Sequence, residues 1–239
     1  MFLIDTIDAL EEPVAPQIAA SLDRLGLPCA DAFVFHNRSS LEVFARLNAP
    51  GGGFDPRAAY SAAGKTRAAG KTRFGGSSSH DPDVRRSAIL ADRCAIVLFP
   101  VGPFVDARAV TEILPLARER GAGTVCCKPF GAGKLLGDTA GCTQPLRQRP
   151  RGKRSSGGTD ASGALLPRLT VIACLHYTLT LDPAVALLGL SYPNEQDAAF
   201  ATARAFTPLA PTAMDDIRLR AAEARRDKGP CWWNPDPDR

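Results

Sequence analysis

Histidine occurs only three times in 239 residues, at His36, His80 and His176, and copies this far apart in sequence do not suggest a metal site. Cysteine is present without a pattern. Cys29, Cys94, Cys126, Cys127, Cys142, Cys174 and Cys231 are odd in number and never stand in Cys-x-x-Cys spacing, so neither a disulfide framework nor a zinc site is expected. Reduced thiols in a cytoplasm are the simpler reading. Long apolar runs are lacking too: no stretch approaches the roughly 18 residues a membrane helix needs, and no basic leader precedes an apolar run. A soluble cytoplasmic protein with no membrane partner is the expectation. Charge of one sign is also in short supply. The net charge of +4 gathers in Arg147 to Arg154, which reads as a solvated basic loop, so no nucleic-acid partner is expected.

What is present is an ordinary globular composition, 45% hydrophobic and 23% charged, in which apolar runs alternate with segments of helical period. That alternation is the mark of βαβ units around a parallel sheet. Strands are predicted at Phe2 to Ile7, Asp31 to His36, Thr72 to Ser77, Cys94 to Val101, Gly123 to Lys128 and Ala184 to Leu190. Helices are predicted at Val14 to Leu25, Pro56 to Lys65, Pro82 to Ala91, Asp106 to Arg120, Pro167 to Thr180, Asn194 to Phe206 and Pro211 to Arg226. Gly26 followed by Pro28 supplies a stop signal for the first helix, and Asp81 a cap for the third.

Residues 1–226 read as one α/β domain, interrupted at 137–163 by a basic loop rich in Gly and Ser, with a polar tail at 227–239 that carries Trp232 and Trp233. The hexapeptide Ala-Ala-Gly-Lys-Thr-Arg occurs twice in tandem, at 62–67 and 68–73. Neither copy is a phosphate loop, because the required first glycine is Ala59 for one and Lys65 for the other. Cys126 and Cys127, adjacent in a strand, face opposite sides and read as packing residues.

Several segments together carry a resemblance. Ser21 to Gly26 followed by Ala30 to His36, Gly70 to His80, Lys128 to Gly133, and Leu175 to Tyr177 with Ala186 to Ser191 and Glu195-Gln196 resemble, in order and spacing, parts of the aldo/keto reductase family in its divergent bacterial branch. The resemblance implies an α/β fold of the (β/α)8 TIM-barrel type with a C-terminal helical extension. Six strands are found where eight are expected, so the barrel is expected to lack two on its amino-terminal side.

It also implies NADP-dependent hydride transfer to or from a small carbonyl or alcohol substrate. His36 falls on the family's catalytic histidine, and Ser77, Ser78, Lys128, Ser191, Glu195 and Gln196 fall on cofactor-binding positions; no metal is implied. The family's tyrosine acid, with its aspartate and lysine, is not found. If Phe2 to Ile7 is the third strand, the lysine is missing near Thr6. If it is the second, Asp5-Thr6 fits but the tyrosine position is Leu10. Ala199 and Phe200 replace a Glu-Asn pair that holds the adenine. A non-catalytic, truncated or decayed homologue therefore stands as the alternative, and exposed barrel edges would favour a homo-oligomer.

Overall fold

The computed structural model describes residues 2–5, 14–36, 41, 45, 70–91, 94–137, 162–190, 192–226, 228, 231, 233 and 234. The predicted helix at 56–65, the tandem hexapeptide up to residue 69, the basic run 147–154, Ser191 and Trp232 lie outside these. The described strands are β1 (Phe2–Asp5), β2 (Ala30–His36), β3 (Thr72–Ser78), β4 (Ile96–Pro100), β5 (Gly123–Cys127) and β6 (Val185–Ala186), hydrogen-bonded in sequence order. The chain forms two compact units, one of residues 1–99 with 108–125, the other of residues 100–107 with 126–239.

In the first unit β1, β2, β3 and β4 pair parallel, with Asp5 opposite His36, Phe35 opposite Ser77 and Gly76 opposite Ile96. Phe33, Val34 and Phe35 are all buried, so both faces of β2 are covered, as expected of a parallel sheet with helices on its faces. Helix α1 (Val14–Leu25) packs Ile18 and Leu22, four residues apart on one face, into the interior. It stops where the sequence predicts: Gly26 is left-handed at φ 63°, Leu27 N donates to Leu22 O at 3.0 Å and Gly26 N to Asp23 O at 3.1 Å. These are the paired bonds of a Schellman ending. Helix α2 (Pro82–Leu90) is capped by Asp81, whose Oδ1 accepts the Asp83 N–H at 2.8 Å.

The predicted helix 106–120 is corrected. Residues Ala109–Ile113 form a π turn that leads into α3 (Leu114–Glu119), and the Leu114 N–H reaches back five residues to Ala109 O. The cause is Pro115, which has no N–H to donate to Thr111 and so interrupts the α-helical ladder there.

The second unit has a core built from Phe130, Leu135 and Leu136 together with Val171, Cys174, Leu175 and Tyr177 of helix α4 (Val171–Thr180), and with Met214, Ile217, Ala221 and Ala224 of helix α6 (Pro211–Arg225). Helix α5 (Pro193–Arg204) adds Ala199. Two further expectations are corrected here. Helix α4 begins at Val171, not at Pro167, because the Thr170 hydroxyl caps it by accepting the Ala173 N–H at 3.1 Å, while Leu169 N donates to Leu135 O at 2.8 Å. The predicted strand 184–190 shrinks to Val185–Ala186: after Leu187 N donates to Cys126 O at 2.7 Å, the following residues line a cavity instead of continuing the ladder.

The tail is part of the structure. Lys228, Cys231 and Trp233 are buried, Trp233 to 1% exposure. Among the described residues no helix is long and apolar enough to cross a membrane.

Candidate functional site

In the first unit the polar residues gather where β2 and β3 end. His36 closes β2, half-buried, and the register that pairs Phe35 with Ser77 carries it level with Ser78. Ser77, Ser78 and Ser79 are each 3–4% exposed. Beyond them the chain turns through a set of side-chain hydrogen bonds. Ser79 Oγ accepts the Asp81 N–H at 3.0 Å, and the buried Arg85 donates to Asp81 O and to His80 O, both at 3.1 Å. The Arg85 guanidinium lies 5.0 Å from the centre of the Phe99 ring, a cation–π placement that offsets part of the cost of burying the charge. The structure thus brings His36, Ser77 and Ser78 together at the carboxyl ends of adjacent strands.

The second unit holds a cavity of about 350 Å³ at the carboxyl end of β5, lined by Cys127, Lys128, Pro129, Phe130, Ala132, Gly133 and, after β6, Leu187, Leu188 and Gly189. Its wall is an unusual piece of backbone. Lys128 has φ 61° immediately before Pro129, and Gly131, Ala132 and Gly133 follow at φ 54°, 53° and 91° within the 3₁₀ segment Gly131–Leu136. Non-glycine residues rarely adopt this region, and residues before proline favour an extended backbone, so Lys128 is strained on both counts. Gly102 makes the arrangement feasible: a Cβ there would stand 2.9 Å from Pro129 Cα and 3.1 Å from Lys128 O. The N–H groups of Gly131 and Gly133 are spent inside the turn, on Lys128 O at 2.9 Å and Phe130 O at 3.0 Å, so the charged residue that lines the cavity is Lys128.

Glu195 and Gln196 lie in the first turn of α5, Glu195 buried and Gln196 exposed. The N-cap residue Tyr192 makes no side-chain capping bond. Glu195 places negative charge where the helix dipole favours it. Ala199 is absorbed into the core and Phe200 is 66% exposed, so neither acts as the Glu-Asn pair it replaces. Gly102, Cys127 and the Leu187-Leu188-Gly189 stretch were not singled out as site residues by sequence. Only the apolar run at 184–190 gave a signal, and it read as strand. Among the described residues no cluster of three His, Cys, Asp or Glu could hold a metal ion.

No protein-family model and no curated protein sequence matches the chain. Solved structures do. An aldo-keto reductase from Bacillus halodurans in its holo form is similar over 87% of this chain and 66% of its own, with a TM-score of 0.57 at 19% identity. A glycerol dehydrogenase from Gluconobacter oxydans is similar over 93% of this chain and 65% of its own, with a TM-score of 0.54 at 18% identity. A putative 2,5-diketo-D-gluconic acid reductase B is similar over 98% of this chain and 72% of its own, with a TM-score of 0.59 at 16% identity. The chain thus spans about two thirds of the length of the first of these. At such identities the likeness speaks for architecture: with six strands described where a complete (β/α)8 barrel has eight, the chain has the fold of the aldo/keto reductases in incomplete form.

Proposed function

We propose that this chain is an oxidoreductase of the aldo/keto reductase type that binds NADP, with the cavity beside Lys128 taking a phosphate-bearing part of the cofactor. The observation that carries this reading is the cavity itself, lined by Lys128 and by the Ala132-Gly133 stretch at the carboxyl end of β5. In barrels of this type ligands bind at that end of the strands. The volume sits at the low end of the ~300–1,000 Å³ typical of ligand pockets, so it suits a portion of a dinucleotide and not the whole. A cationic residue, Lys128, and apolar walls from Phe130, Leu187 and Leu188 fit a phosphate attached to a less polar moiety. Ser191, Glu195 and Gln196 are proposed to serve the cofactor at the start of α5, where a helix N-terminus favours an anion.

When bound, NADP supplies the hydride for reducing a carbonyl or accepts one from an alcohol. The chain's own contribution in the first unit is proposed to be His36, orienting or polarising the carbonyl of a small substrate, with Ser77 and Ser78 as polar cofactor contacts. A positioned proton donor is worth roughly 10²–10⁴ in rate, so the acid determines whether turnover follows binding.

One observation favours a second reading, a cofactor-binding homologue without catalysis. Of the tyrosines, Tyr177 is 2% exposed in the core of the second unit and Tyr192 is buried at the start of α5; Tyr60 lies outside the described residues. Among the described residues no tyrosine stands at the carboxyl end of a strand. Titration of the full chain with NADPH, followed by nicotinamide fluorescence and by melting temperature, tests the first step. Saturable binding with a rise in melting temperature supports the cofactor reading, since a ligand bound only by the native state stabilises it. A folded chain that does not bind overturns it. Turnover in a subsequent carbonyl screen separates the enzyme from its non-catalytic counterpart.

A further inference from the structure

The cavity wall is held from behind by the end of the chain. Lys134, one residue past the lining Gly133, and Lys228, beyond the end of α6, are each 4% exposed, and each ammonium donates to the other's backbone carbonyl. Lys228 Nζ lies 2.9 Å from Lys134 O and also 2.6 Å from Pro167 O, so one side chain joins the cavity loop, the segment leading into α4 and the tail. A buried ammonium is costly unless its protons are accepted, and among the described residues these are accepted by backbone carbonyls. Burial accordingly pushes the Lys228 amine below its ordinary pKa, with the nearby Arg168 charge adding to the effect.

Trp233 completes the attachment. A Cβ built on Gly131 would stand 3.6 Å from its ring and 3.0 Å from Leu135 Cγ, so the indole and Leu135 close over the left-handed turn. Two residues before Trp233, the buried Cys231 accepts from Arg225 Nε at 3.4 Å, and the Arg225 guanidinium sits 5.5 Å from the centre of the Phe104 ring.

The loop's own bonds are short in range. Gly131 N donates to Lys128 O, Gly133 N and Leu135 N to Phe130 O, and Gly137 N to Lys134 O. Such bonds close turns. The ties to the rest of the unit include Leu169 N to Leu135 O at 2.8 Å, the packing of Phe130, Leu135 and Leu136 in the core, and the Lys228 bridge to Pro167 O. Strained left-handed residues persist only where surrounding structure holds them. We propose that Lys228 is a positioning residue for the cavity: with Trp233 it forms a strap that fixes the Lys128–Leu136 wall in its ligand-competent shape. The effect on affinity rests on the cofactor reading above; the effect on the loop does not.

The test compares Lys228→Met with the wild-type full chain by amide hydrogen exchange and by NADPH titration. The Gly133, Leu135 and Gly137 amides are expected to exchange at least about tenfold faster in the variant, the factor that loss of one charged hydrogen bond brings, while the Cys174 amide in α4 keeps its rate. NADPH affinity is expected to fall by a similar factor. Unchanged exchange in the loop overturns the proposal, as does equal acceleration across the loop, α4 and α6, which would mark a general loss of stability. A loosened loop with unchanged affinity overturns the positioning role. If the wild-type chain binds no NADPH, the cofactor reading fails and the exchange pattern alone upholds or overturns the strap. Should Lys228→Met not fold, Trp233→Phe, which opens a gap over Gly131, carries the same measurements and the same outcomes.

Discussion

Two adjacent glycines in β3 offer a prediction in which the sign changes between neighbours. A Cβ added at Gly76 would stand 2.5 Å from Ile96 O and 3.0 Å from Ile96 Cβ, nearly 1 Å inside ordinary contact with a backbone oxygen. Neither the strand nor its neighbour can swing aside as a side chain would, because Gly76 is in register with Val34 on one side and Ile96 on the other. Relief requires β3 and β4 to separate locally. Overpacking of this kind costs about 1–3 kcal/mol, and weakening one ladder bond adds about 1 kcal/mol. Gly76→Ala is therefore expected to lose about 3 kcal/mol, lowering the melting temperature by roughly 6–12 °C in a chain of this size.

At Gly75 a Cβ would meet nothing within 4 Å, and the backbone there is not left-handed. Gly75→Ala should be neutral or stabilising by up to about 1 kcal/mol, since it reduces the freedom of the unfolded chain. Thermal unfolding by circular dichroism, with urea titration at 25 °C, measures both. Equal effects at the two positions, or a Gly76→Ala loss below about 1 kcal/mol, would refute the reasoning, because the close approach of β4 would then not be rigid.

Two further outcomes follow from charge and burial. The Arg108 guanidinium hydrogen-bonds Asp83 and holds its carboxyl below the ordinary value of 3.8, so the pair's contribution is present above that value and is lost as the pH falls through the lowered one; the exposed position limits it to below about 1 kcal/mol. Asp83→Asn should thus be slightly less stable than wild type at pH 7, most clearly at low salt, with the difference shrinking as the pH falls below the ordinary carboxylate range in acid-unfolding curves. Burial pushes the Cys94 and Cys174 thiols up to about 12, so both should resist a thiol-alkylating reagent at pH 8 until the chain unfolds, while exposed Cys29 reacts at once; peptide mapping would show early labelling of Cys94 or Cys174 if the packing is wrong.

The parts of the fold legible in sequence are those whose signals are local. Helix α1 has the predicted ends because the apolar period, Gly26 and Pro28 act within a few residues of each other. Strands β2 and β3 were legible for the same reason, and so was the cap at Asp81. The π turn was not, because it depends on where Pro115 falls within an otherwise good helical pattern. The candidate site was half legible. His36, Ser77 and Ser78 do meet at strand ends, and Lys128 does line a cavity, but the wall's shape comes from a run of positive φ angles and from a glycine in a different loop. A docked tail was one reading of the tryptophan pair, but where Trp233 docks was not legible, because Gly131 is about a hundred residues away.

The close passage of Gly102 by Lys128 and Pro129 ties two loops into one design problem. The wall of the cavity cannot be redrawn from within its own segment, since any side chain at position 102 pushes Lys128 and Pro129 outward whatever residues follow them. Position 102 therefore acts as a permission for the wall, and engineering a larger or differently charged cavity would have to start from the loop after β4 and not from the residues that a ligand touches.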